Sequence, residues 1–388
     1  MKISAVICEY NPLHNGHKYL NQTAKNNCDG LVAIMSTSFT QRGDVAVCDK
    51  YQRTKAALLN GADLVVELPV VYAVSNAQCF AQAGVSIANG LGCIDSLVFG
   101  SECADTQKLT ELANITQNAD IQNIIKQKMG DGLYYPRALN EAIAELYPSD
   151  YADIIGMPND ILAVEYIKAL QNTGIKPEPI KRIAVNHDSN ITAGEFCSAS
   201  NIRNLLKNNC DISNFIPTNA EYSNLAFIEN IYNVMLYKLR SMSLAQLASL
   251  PDVTEGLENR IYSAVRSQST IPDVINQIKT KRYTLARIRR ILISALLDIT
   301  KELQLYPVPY IRVLGFNKKG AEILSLAKST ATLPIGTKVT NLQKILADNQ
   351  PALDILQREI YATDVFALAQ ENPKNCGADF YNQIVIIK

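Results

Sequence analysis

Two of the three histidines in this chain lie three residues apart, at His14 and His17, in the segment EYNPLHNGH (residues 9–17). An apolar run typical of a strand precedes the segment, and a helical pattern follows it. A helix N-terminus offers unpaired N–H groups and a positive dipole end to an anion, and Gly16 lets the backbone approach a phosphate closely. As donors, both imidazoles could stabilise charge that develops on a phosphate. The segment therefore predicts a nucleotide-phosphate site.

A metal site and a purely structural histidine pair are the alternatives to a phosphate site. A zincin site requires H-E-x-x-H and a third ligand, and the remaining histidine, His187, has no matching motif. We therefore assign no metal ligands. The chain also lacks G-x-x-x-x-G-K-[ST], and it lacks G-x-G-x-x-G after the first apolar run. These absences disfavour P-loop and dinucleotide-binding folds.

A second candidate for phosphate binding is the segment SASNIR (residues 198–203), which reads as a loop that enters a helix. Ser198, Ser200 and Arg203 bring two hydroxyl groups and a guanidinium to the start of that helix, and both kinds of group suit a phosphate. The alternative is an ordinary helix N-cap by Ser198 or Ser200. The two interpretations are compatible, because a capping serine can also contact a ligand.

Strand-like apolar runs alternate with helical patterns through the first half of the chain. The runs are residues 3–8, 30–35, 64–68, 95–99 and 179–185. This alternation predicts an α/β domain with a parallel sheet. Ligands of such sheets bind beyond the carboxyl ends of the strands, and both candidate segments are placed to lie there.

The second half of the chain has a different pattern, with apolar residues at helical spacing in residues 221–240, 251–265, 271–279, 283–305 and 318–327. We therefore predict two domains, residues 1–207 and a mainly α-helical domain of residues 208–388. The whole chain holds 37 basic and 37 acidic residues, which excludes a uniformly basic nucleic-acid coat protein. The first domain holds 17 basic and 21 acidic residues, and the second holds 20 and 16.

The basic residues of the second domain cluster in residues 279–290. Lys281, Arg282, Arg287 and Arg290 are candidates for contact with a nucleic-acid backbone, and a solvated helix face is the alternative. For Tyr283, packing in a helix interface is favoured over stacking on a base.

The composition also bears on the compartment. Nine cysteines occur without a C-x-x-C pair, and the most apolar stretches are too short to span a bilayer. No signal peptide is recognisable. We therefore expect a cytoplasmic protein with reduced thiols and no membrane association.

His14-x-x-His17 together with Ser200-x-x-Arg203 resembles the nucleotidyltransferase superfamily that carries a HIGH-like motif. More closely, the chain resembles the bacterial tRNA(Met) cytidine acetate ligases over most of its length. The motifs that carry this resemblance are EYNPLHNGH (9–17), MS (35–36), QRG (41–43), NGADLVVELP (60–69), FGSE (99–102), PNDIL (158–162), SASNIR (198–203), EGLENR (255–260), TKRYT (280–284) and IRVLGF (311–316).

The resemblance implies a Rossmann-like nucleotidyltransferase domain and an ATP-dependent reaction. Acetate and ATP, with Mg²⁺ expected on the phosphates, would give acetyl-adenylate and pyrophosphate. The acetyl group would then pass to N4 of the wobble cytidine, position 34, of elongator tRNA(Met), giving N4-acetylcytidine. Catalytic roles fall to His14, His17 and Arg203. The implied ATP-binding residues are Ile7, Cys8, Glu9, Tyr10, Asn11, Pro12, Leu13, His14, Asn15, Gly16, His17, Lys18, Tyr19, Leu20, Gly100, Asn159, Arg182, Ser198 and Ser200.

One segment departs from the family pattern, because the chain has STSF at residues 36–39 where the family usually has SGNF. This difference bears on the local loop and on the acetate or base pocket. Gln41 and Arg42, just beyond it, are candidates for contact near the substrate base. Two other functions stay open at this point: an adenylyltransferase for a small phosphorylated metabolite, and an RNA-binding protein with a decayed nucleotide site.

Overall fold

The computed structural model describes residues 1–183, 194–254 and 256–388. The strands within these residues are β1 (Ile3–Cys8), β2 (Gly30–Ser36), β3 (Phe39–Thr40), β4 (Asp44–Val45), β5 (Leu64–Leu68), β6 (Ser96–Ser101), β7 (Lys176–Lys181), β8 (Ile311–Phe316), β9 (Ile335–Gly336) and β10 (Val385–Ile386).

The α-helices within the same residues are α1 (Asn15–Lys25), α2 (Lys50–Leu59), α3 (Val70–Ala73), α4 (Ala77–Leu91), α5 (Thr106–Ile115), α6 (Ala119–Gly130), α7 (Tyr135–Leu146), α8 (Ser149–Gly156), α9 (Pro158–Leu170), α10 (Ala199–Lys207), α11 (Tyr232–Ser241), α12 (Leu244–Ala248), α13 (Leu257–Ser267), α14 (Ile271–Ile278), α15 (Leu285–Leu296), α16 (Lys301–Leu305), α17 (Lys318–Thr330), α18 (Val339–Ile345), α19 (Gln350–Ala369) and α20 (Ala378–Tyr381). A 3₁₀ helix spans Ile228–Ile231.

The main sheet has the strand order β10-β8-β5-β2-β1-β6-β7, and β9 pairs with β8. The pairs among β5, β2, β1, β6 and β7 are parallel, as the alternation of strands and helices predicts, whereas β8 runs antiparallel to β5. The chain winds from β1 to β2 and β5 on one side and later to β6 and β7 on the other. This reversal opens a crevice at the carboxyl ends of β1 and β6, where ligands of such sheets bind.

Both faces of the sheet are covered, which is why its central strands are apolar throughout. On β1, Ile3, Ala5 and Ile7 belong to the larger core, which also includes residues of α4 and α9. Val6 and Cys8 point to the opposite core, which includes residues of α1 and α2. The alternation follows from the two-residue period of a strand.

Four of the five predicted strands lie within one or two residues of the predicted positions, and the fifth is displaced. The sequence predicts residues 179–185, whereas β7 is Lys176–Lys181, and residues 184 and 185 lie outside the described residues. Pro177 and Pro179 make the first residues of this strand hard to predict, because proline has no N–H to donate to the hydrogen bonds of a sheet. The strand is nevertheless stable, because β7 lies at the edge of the sheet, where proline is tolerated.

Residues 208–388 are mainly helical, as predicted, but they do not stay apart from the sheet. Helices α11–α15 pack on one another, whereas α16 packs on α3 and α19. Further along the chain, β8 joins the sheet beside β5, and β10 joins it beside β8. No strand is predicted for residues 311–316, because a short apolar run fits a strand as well as a buried helix turn; the pairing with β5 establishes β8. The sheet therefore contains strands from both sides of the predicted boundary between residues 207 and 208. The division of the chain into an ATP-binding part and a tRNA-binding part at this boundary stays a prediction.

Among the described residues, no helix has both the length and the apolar character needed to cross a membrane. All nine cysteines are free thiols.

Candidate functional site

A cavity of about 320 Å³ opens at the carboxyl ends of β1 and β6. Helices α1, α9 and α10 contribute residues to its wall. The predicted residues that line it are Ile7, Cys8, Glu9, Tyr10, Asn11, His14, Gly16, His17, Tyr19, Leu20, Gln41, Arg42, Gly100, Asn159, Arg182, Ser198, Ser200 and Arg203. The structure thus brings both candidate motifs to one cavity.

Four residues predicted to bind ATP, Pro12, Leu13, Asn15 and Lys18, do not line this cavity. Leu13 is fully buried in the core beneath the motif. Asn15 donates from its side chain to the carbonyl oxygens of Glu195 and Asn214, at 3.0 Å each. Leu13 and Asn15 therefore hold the motif in place, and their sequence position alone gave no sign of this.

The two histidines form a stacked pair at the start of α1. Their ring centroids are 3.8 Å apart, and the edge of Tyr10 packs on His17 at 5.1 Å. His14 caps the helix, because its Nδ1 accepts from the Gly16 N–H at 3.1 Å. The Nδ1 of His17 accepts from the His14 N–H at 3.4 Å, which completes a capping box. In a neutral imidazole that accepts at Nδ1, the proton lies on Nε2, so each ring can donate from Nε2.

The turn between β1 and α1 depends on Tyr10, which has a φ of 45°. Few residues other than glycine adopt this left-handed backbone conformation. Here the tyrosine side chain is fully buried, and its hydroxyl donates to Asn21 Oδ1 at 2.8 Å. The buried ring and this hydrogen bond stabilise the sharp turn that places Glu9 and His14 on the same cavity.

Arg203 connects the second motif to the first. Its Nη1 donates to the carbonyl oxygen of Asn11 at 2.9 Å, and its Nη2 lies 3.4 Å from the Ser200 hydroxyl. Ser198 caps α10 by accepting from the Asn201 N–H at 3.1 Å. The predicted N-cap is thereby confirmed, and Ser198 also lines the cavity, so the two interpretations are indeed compatible.

The wall after β6 is organised by Asp160, which lies within the PNDIL motif. Its buried carboxylate accepts from the Ser101 hydroxyl and from the N–H groups of Glu102 and Cys103. Glu102 in turn accepts from the Asn159 side-chain amide and lies 3.5 Å from Arg182 Nε. These contacts place the predicted pair Asn159 and Arg182 at the cavity.

Gly100 fits its position for steric reasons. A Cβ atom there would lie 3.3 Å from Cγ of Arg182 and 3.5 Å from Cδ1 of Leu20. The first of these contacts is tighter than side chains usually make. The absence of a side chain therefore lets Arg182 lie across the end of β6.

The STSF segment, which departs from the family pattern, is bonded through its backbone to the buried guanidinium of Arg53. Arg53 is fully buried and donates to the carbonyl oxygens of Glu9, Ser36, Thr37 and Cys48. These bonds connect the end of β1, the end of β2 and the turn before α2. Arg53 thus holds Thr37 through its backbone, so the arrangement does not depend on the Thr37 side chain.

Glu9 is the one carboxylate among the described residues that line the cavity. Its Oε1 accepts from the Gln41 N–H at 2.7 Å. Burial raises the pKa of this carboxyl, and the neighbouring Arg203 and Arg42 oppose the shift. The other charged lining residues are Arg42, Lys181, Arg182 and Arg203. This excess of cations suits a polyphosphate.

Three of the four candidate residues in the predicted basic cluster form hydrogen bonds with other groups of this chain. Arg287 donates to the Asp252 carbonyl oxygen at 2.7 Å, and Arg290 donates to the Asp252 carboxylate at 2.9 Å. Arg282 donates to the carbonyl oxygen of Met129 at 3.2 Å, whereas Lys281 is exposed. Tyr283 is buried, which confirms the packing role. Contact of these cations with tRNA stays a prediction.

Among the described residues, no group of three or more His, Cys, Asp or Glu side chains could hold a metal ion. The described lining residues offer one carboxylate, Glu9, so Mg²⁺ in this cavity would be held chiefly by the substrate phosphates and water. These side chains do not form a Mg²⁺ site by themselves.

Several lining residues were missed by the sequence analysis. Lys181 follows from the rule that ligands meet the carboxyl ends of strands, because it ends β7 beside Arg182. Phe80, Phe99 and Tyr166 form an aromatic wall, with Phe99 and Tyr166 5.6 Å apart between ring centroids. No sequence signal distinguishes these rings from core residues.

The whole chain is similar to one family. Residues 1–379 match the HIGH Nucleotidyl Transferase family. The chain is 37% identical to the tRNA(Met) cytidine acetate ligase of Clostridium kluyveri, with 96% of each chain covered. It is 38% identical to the enzyme of the same name from a Thermoanaerobacter species, with 99% of this chain and 100% of the relative covered.

Solved structures agree with these relatives. The fold matches apo Thermotoga maritima TmcAL with a TM-score of 0.93 and 30% identity, and each chain is covered completely. It also matches the same protein bound with alpha-thio ATP, with a TM-score of 0.92, 30% identity and complete coverage of both chains.

Proposed function

This chain belongs to the HIGH nucleotidyltransferase family and, within it, to the tRNA(Met) cytidine acetate ligases, and we propose that it acetylates a tRNA cytidine at the expense of ATP. The acceptor in this proposal is N4 of the wobble cytidine of elongator tRNA(Met), in the cytoplasm. Acetate is the acetyl source, and AMP and pyrophosphate are the by-products.

In the first step, a carboxylate oxygen of acetate bonds to the α-phosphorus of ATP while the bond to the bridging oxygen breaks and pyrophosphate leaves. Such a displacement needs alignment and charge neutralisation more than a protein nucleophile. His14 and His17 donate from Nε2 to the phosphate oxygens, and the N-terminus of α1 adds its dipole. Arg203, Arg182 and Lys181 neutralise the phosphates.

In the second step, the N4 amine of cytidine attacks the acetyl carbonyl, and AMP leaves. A cytidine amine is weakly nucleophilic, so it needs the activated donor that the first step supplies. The base must leave its stack to enter the cavity. Gln41 and Arg42 lie on the cavity rim between β3 and β4 and contact the base or its flanking phosphate.

The observation that supports this proposal is the meeting of the stacked His14–His17 pair with Arg203 in a cation-rich cavity at the sheet's switch point. The similarity to the acetate ligases extends over 96% and 100% of the length of these two relatives. A small-metabolite adenylyltransferase would have no use for helices α11–α16, which fill much of the second half of the chain.

The test is to incubate the purified protein with acetate, ATP and a tRNA(Met) transcript and to measure the nucleosides by mass spectrometry. We expect N4-acetylcytidine that requires both acetate and ATP. A transcript with uridine at the wobble position is the matched control and should stay unmodified. ATP–pyrophosphate exchange that responds to a phosphorylated metabolite and not to acetate would contradict the proposal and favour the adenylyltransferase.

A further inference from the structure

A carboxylate is out of place in a cavity that otherwise collects cations and phosphate-binding donors. Among the described lining residues, Glu9 alone carries negative charge beside four cationic side chains. Bound ATP and acetate are both anionic and would be repelled by it. The carboxylate therefore calls for a task other than binding those two substrates.

Hydrogen bonds fix both the backbone and the carboxylate of Glu9. Arg53 donates to its carbonyl oxygen at 2.7 Å, and the left-handed Tyr10 follows it. One carboxylate oxygen, Oε1, accepts from the Gln41 N–H. Glu9 thus lines the same cavity as the histidine pair, and its carboxylate is bonded to the Gln41–Arg42 turn, where we place the tRNA base.

The chemistry of the second step needs a group with these properties. The N4 amine of cytosine is a hydrogen-bond donor in the plane of the base, and carboxylates are its usual partners in nucleic-acid recognition. The amine must also lose a proton when it becomes an amide. A positioned carboxylate can accept both the hydrogen bond and the proton.

We propose that Glu9 binds the N4 amine of the acceptor cytidine and acts as the general base of acetyl transfer, an inference that rests on the function proposed above. The amine nitrogen bonds to the acetyl carbon, and the bond from that carbon to the phosphate oxygen breaks. The electron pair of the broken bond leaves with AMP. The N4 proton passes to the Glu9 carboxylate and then to water.

Burial favours this role, because it raises the pKa of Glu9 above its usual range and so makes the carboxylate a stronger base. The base must be ionised to work. The transfer rate is therefore expected to rise with pH through the pKa of Glu9 and to level off above it.

Glu9→Gln separates this role from two others. The variant keeps the shape of the side chain and an oxygen that can accept from the Gln41 N–H, so a purely structural role would survive it. A role in ATP or metal binding would instead appear in the first step. Two reactions are measured: acetate-dependent ATP–pyrophosphate exchange, and transfer from synthetic acetyl-adenylate to the tRNA(Met) transcript.

We expect Glu9→Gln to lower single-turnover transfer by roughly 10²- to 10⁴-fold and to lower exchange by much less, because the proposed proton transfer belongs to the second step alone. The pH dependence of transfer should disappear in the same variant. Glu178→Gln is the matched control, because Glu178 is a partly buried carboxylate on β7 that pairs with Lys2. This control should behave as wild type in both reactions.

Two results would overturn the inference alone, provided that the wild-type protein acetylates the transcript. One is normal transfer by Glu9→Gln, and the other is an equal loss of exchange and transfer. A wild-type protein that catalyses exchange but never acetylates tRNA would overturn the proposed function and, with it, the role of Glu9.

Discussion

At the start of α1, His14 both caps the helix and stacks on His17. The cap uses Nδ1, whereas the proposed contact with phosphate uses Nε2. A side chain that accepts a hydrogen bond at the cap but is too short to place a donor at the position of Nε2 separates these tasks. Asparagine is such a side chain, because it is among the most favourable N-cap residues.

We predict that His14→Asn keeps the stability of the protein but lowers acetate-dependent ATP–pyrophosphate exchange by about 10²- to 10³-fold, the usual cost of removing one donor from a developing charge. His14→Ala should lose the same activity and, in addition, about 1 kcal/mol of unfolding free energy. Exchange assays and urea titrations measure the two effects. Wild-type exchange in His14→Asn would exclude the Nε2 contact.

At the scale of elements, the turn between β3 and β4 connects the cavity to the helical part of the chain. Gly43 in this turn has a φ of 73°, and a Cβ there would lie 2.6 Å from the Arg289 Cβ and the Arg290 nitrogen. The turn that carries Gln41 and Arg42 therefore packs directly on α15. Any displacement of α15 would therefore move Gln41 and Arg42, which line the cavity.

We expect Gly43→Ala to destabilise the protein by more than the roughly 1–2 kcal/mol that a left-handed alanine costs, because the methyl group also meets backbone of α15. Gly132→Ala is the matched control, since Gly132 has a φ of 97° but no neighbour within 4 Å of a Cβ. The difference between the two urea unfolding energies measures the packing term. Equal losses would show that the turn can move away from α15.

The four candidate residues of the basic cluster separate into three arginines that bond within the chain, Arg282, Arg287 and Arg290, and Lys281, which is exposed. Arg290 and Asp252 form an ion pair with side chains that are 11% and 17% exposed, whereas Lys281 is exposed. Removing one partner of a largely buried pair leaves the other without its counter-charge. Stability and tRNA affinity should therefore respond to different residues of the cluster.

Lys281→Ala is expected to leave the melting temperature unchanged and to reduce the salt dependence of tRNA binding by about one unit of slope. Arg290→Ala should lower the melting temperature. Filter binding at several salt concentrations and thermal denaturation distinguish the two. An unchanged salt slope in Lys281→Ala would remove that residue from the tRNA interface.

At the scale of the whole molecule, a buried ion cluster joins the two halves of the chain. Lys50 on α2 lies 2.7 Å from Asp379, 3.2 Å from Glu359 and 3.6 Å from Glu67. Arg312 on β8 contacts Glu67 and Asp379 at 3.1 and 2.7 Å. Three carboxylates thus share two cations, and all five side chains are almost completely buried.

Burial, together with the neighbouring Glu359, raises the pKa of Glu67 from 4.5 to about 7. A carboxyl with a raised pKa contributes stability that is complete below its unfolded pKa and is lost as the pH rises through its folded pKa. Lys50 and Arg312 hold the pKa of Asp379 low, so its contribution is lost only in stronger acid. Between pH 5 and 8, the stability should therefore fall as the pH rises.

We predict that the urea midpoint of the wild-type protein decreases from about pH 5 to pH 8 and that Glu67→Gln weakens this dependence. The variant is needed because burial also raises the pKa values of Glu9, Asp44 and Asp160, which act in the same direction. Glu178→Gln serves as the control for substitution itself. An identical slope in Glu67→Gln and wild type would contradict the raised pKa of Glu67 as a source of the pH dependence.

The sequence by itself determined the parallel sheet, the helix start at His14 and an N-cap at Ser198 or Ser200, of which the structure has Ser198. These features depend on local patterns, such as apolar runs, capping residues and a glycine in the first turn. His14, His17 and Arg203 are phosphate candidates from local patterns of the same kind, whereas their catalytic roles are implied by the family resemblance. Nothing local connects Arg203 to Asn11, which lies 192 positions away.

Only the tertiary structure decided which residues share a space. It brought Arg203 to the His14–His17 pair, used Arg287 and Arg290 to hold the Asp252 turn, and placed β8 beside β5. It also made Glu9 the one carboxylate of the described cavity wall. These facts depend on contacts between residues far apart in the chain, and a pattern of neighbouring residues cannot specify the partner of a strand or of a buried charge.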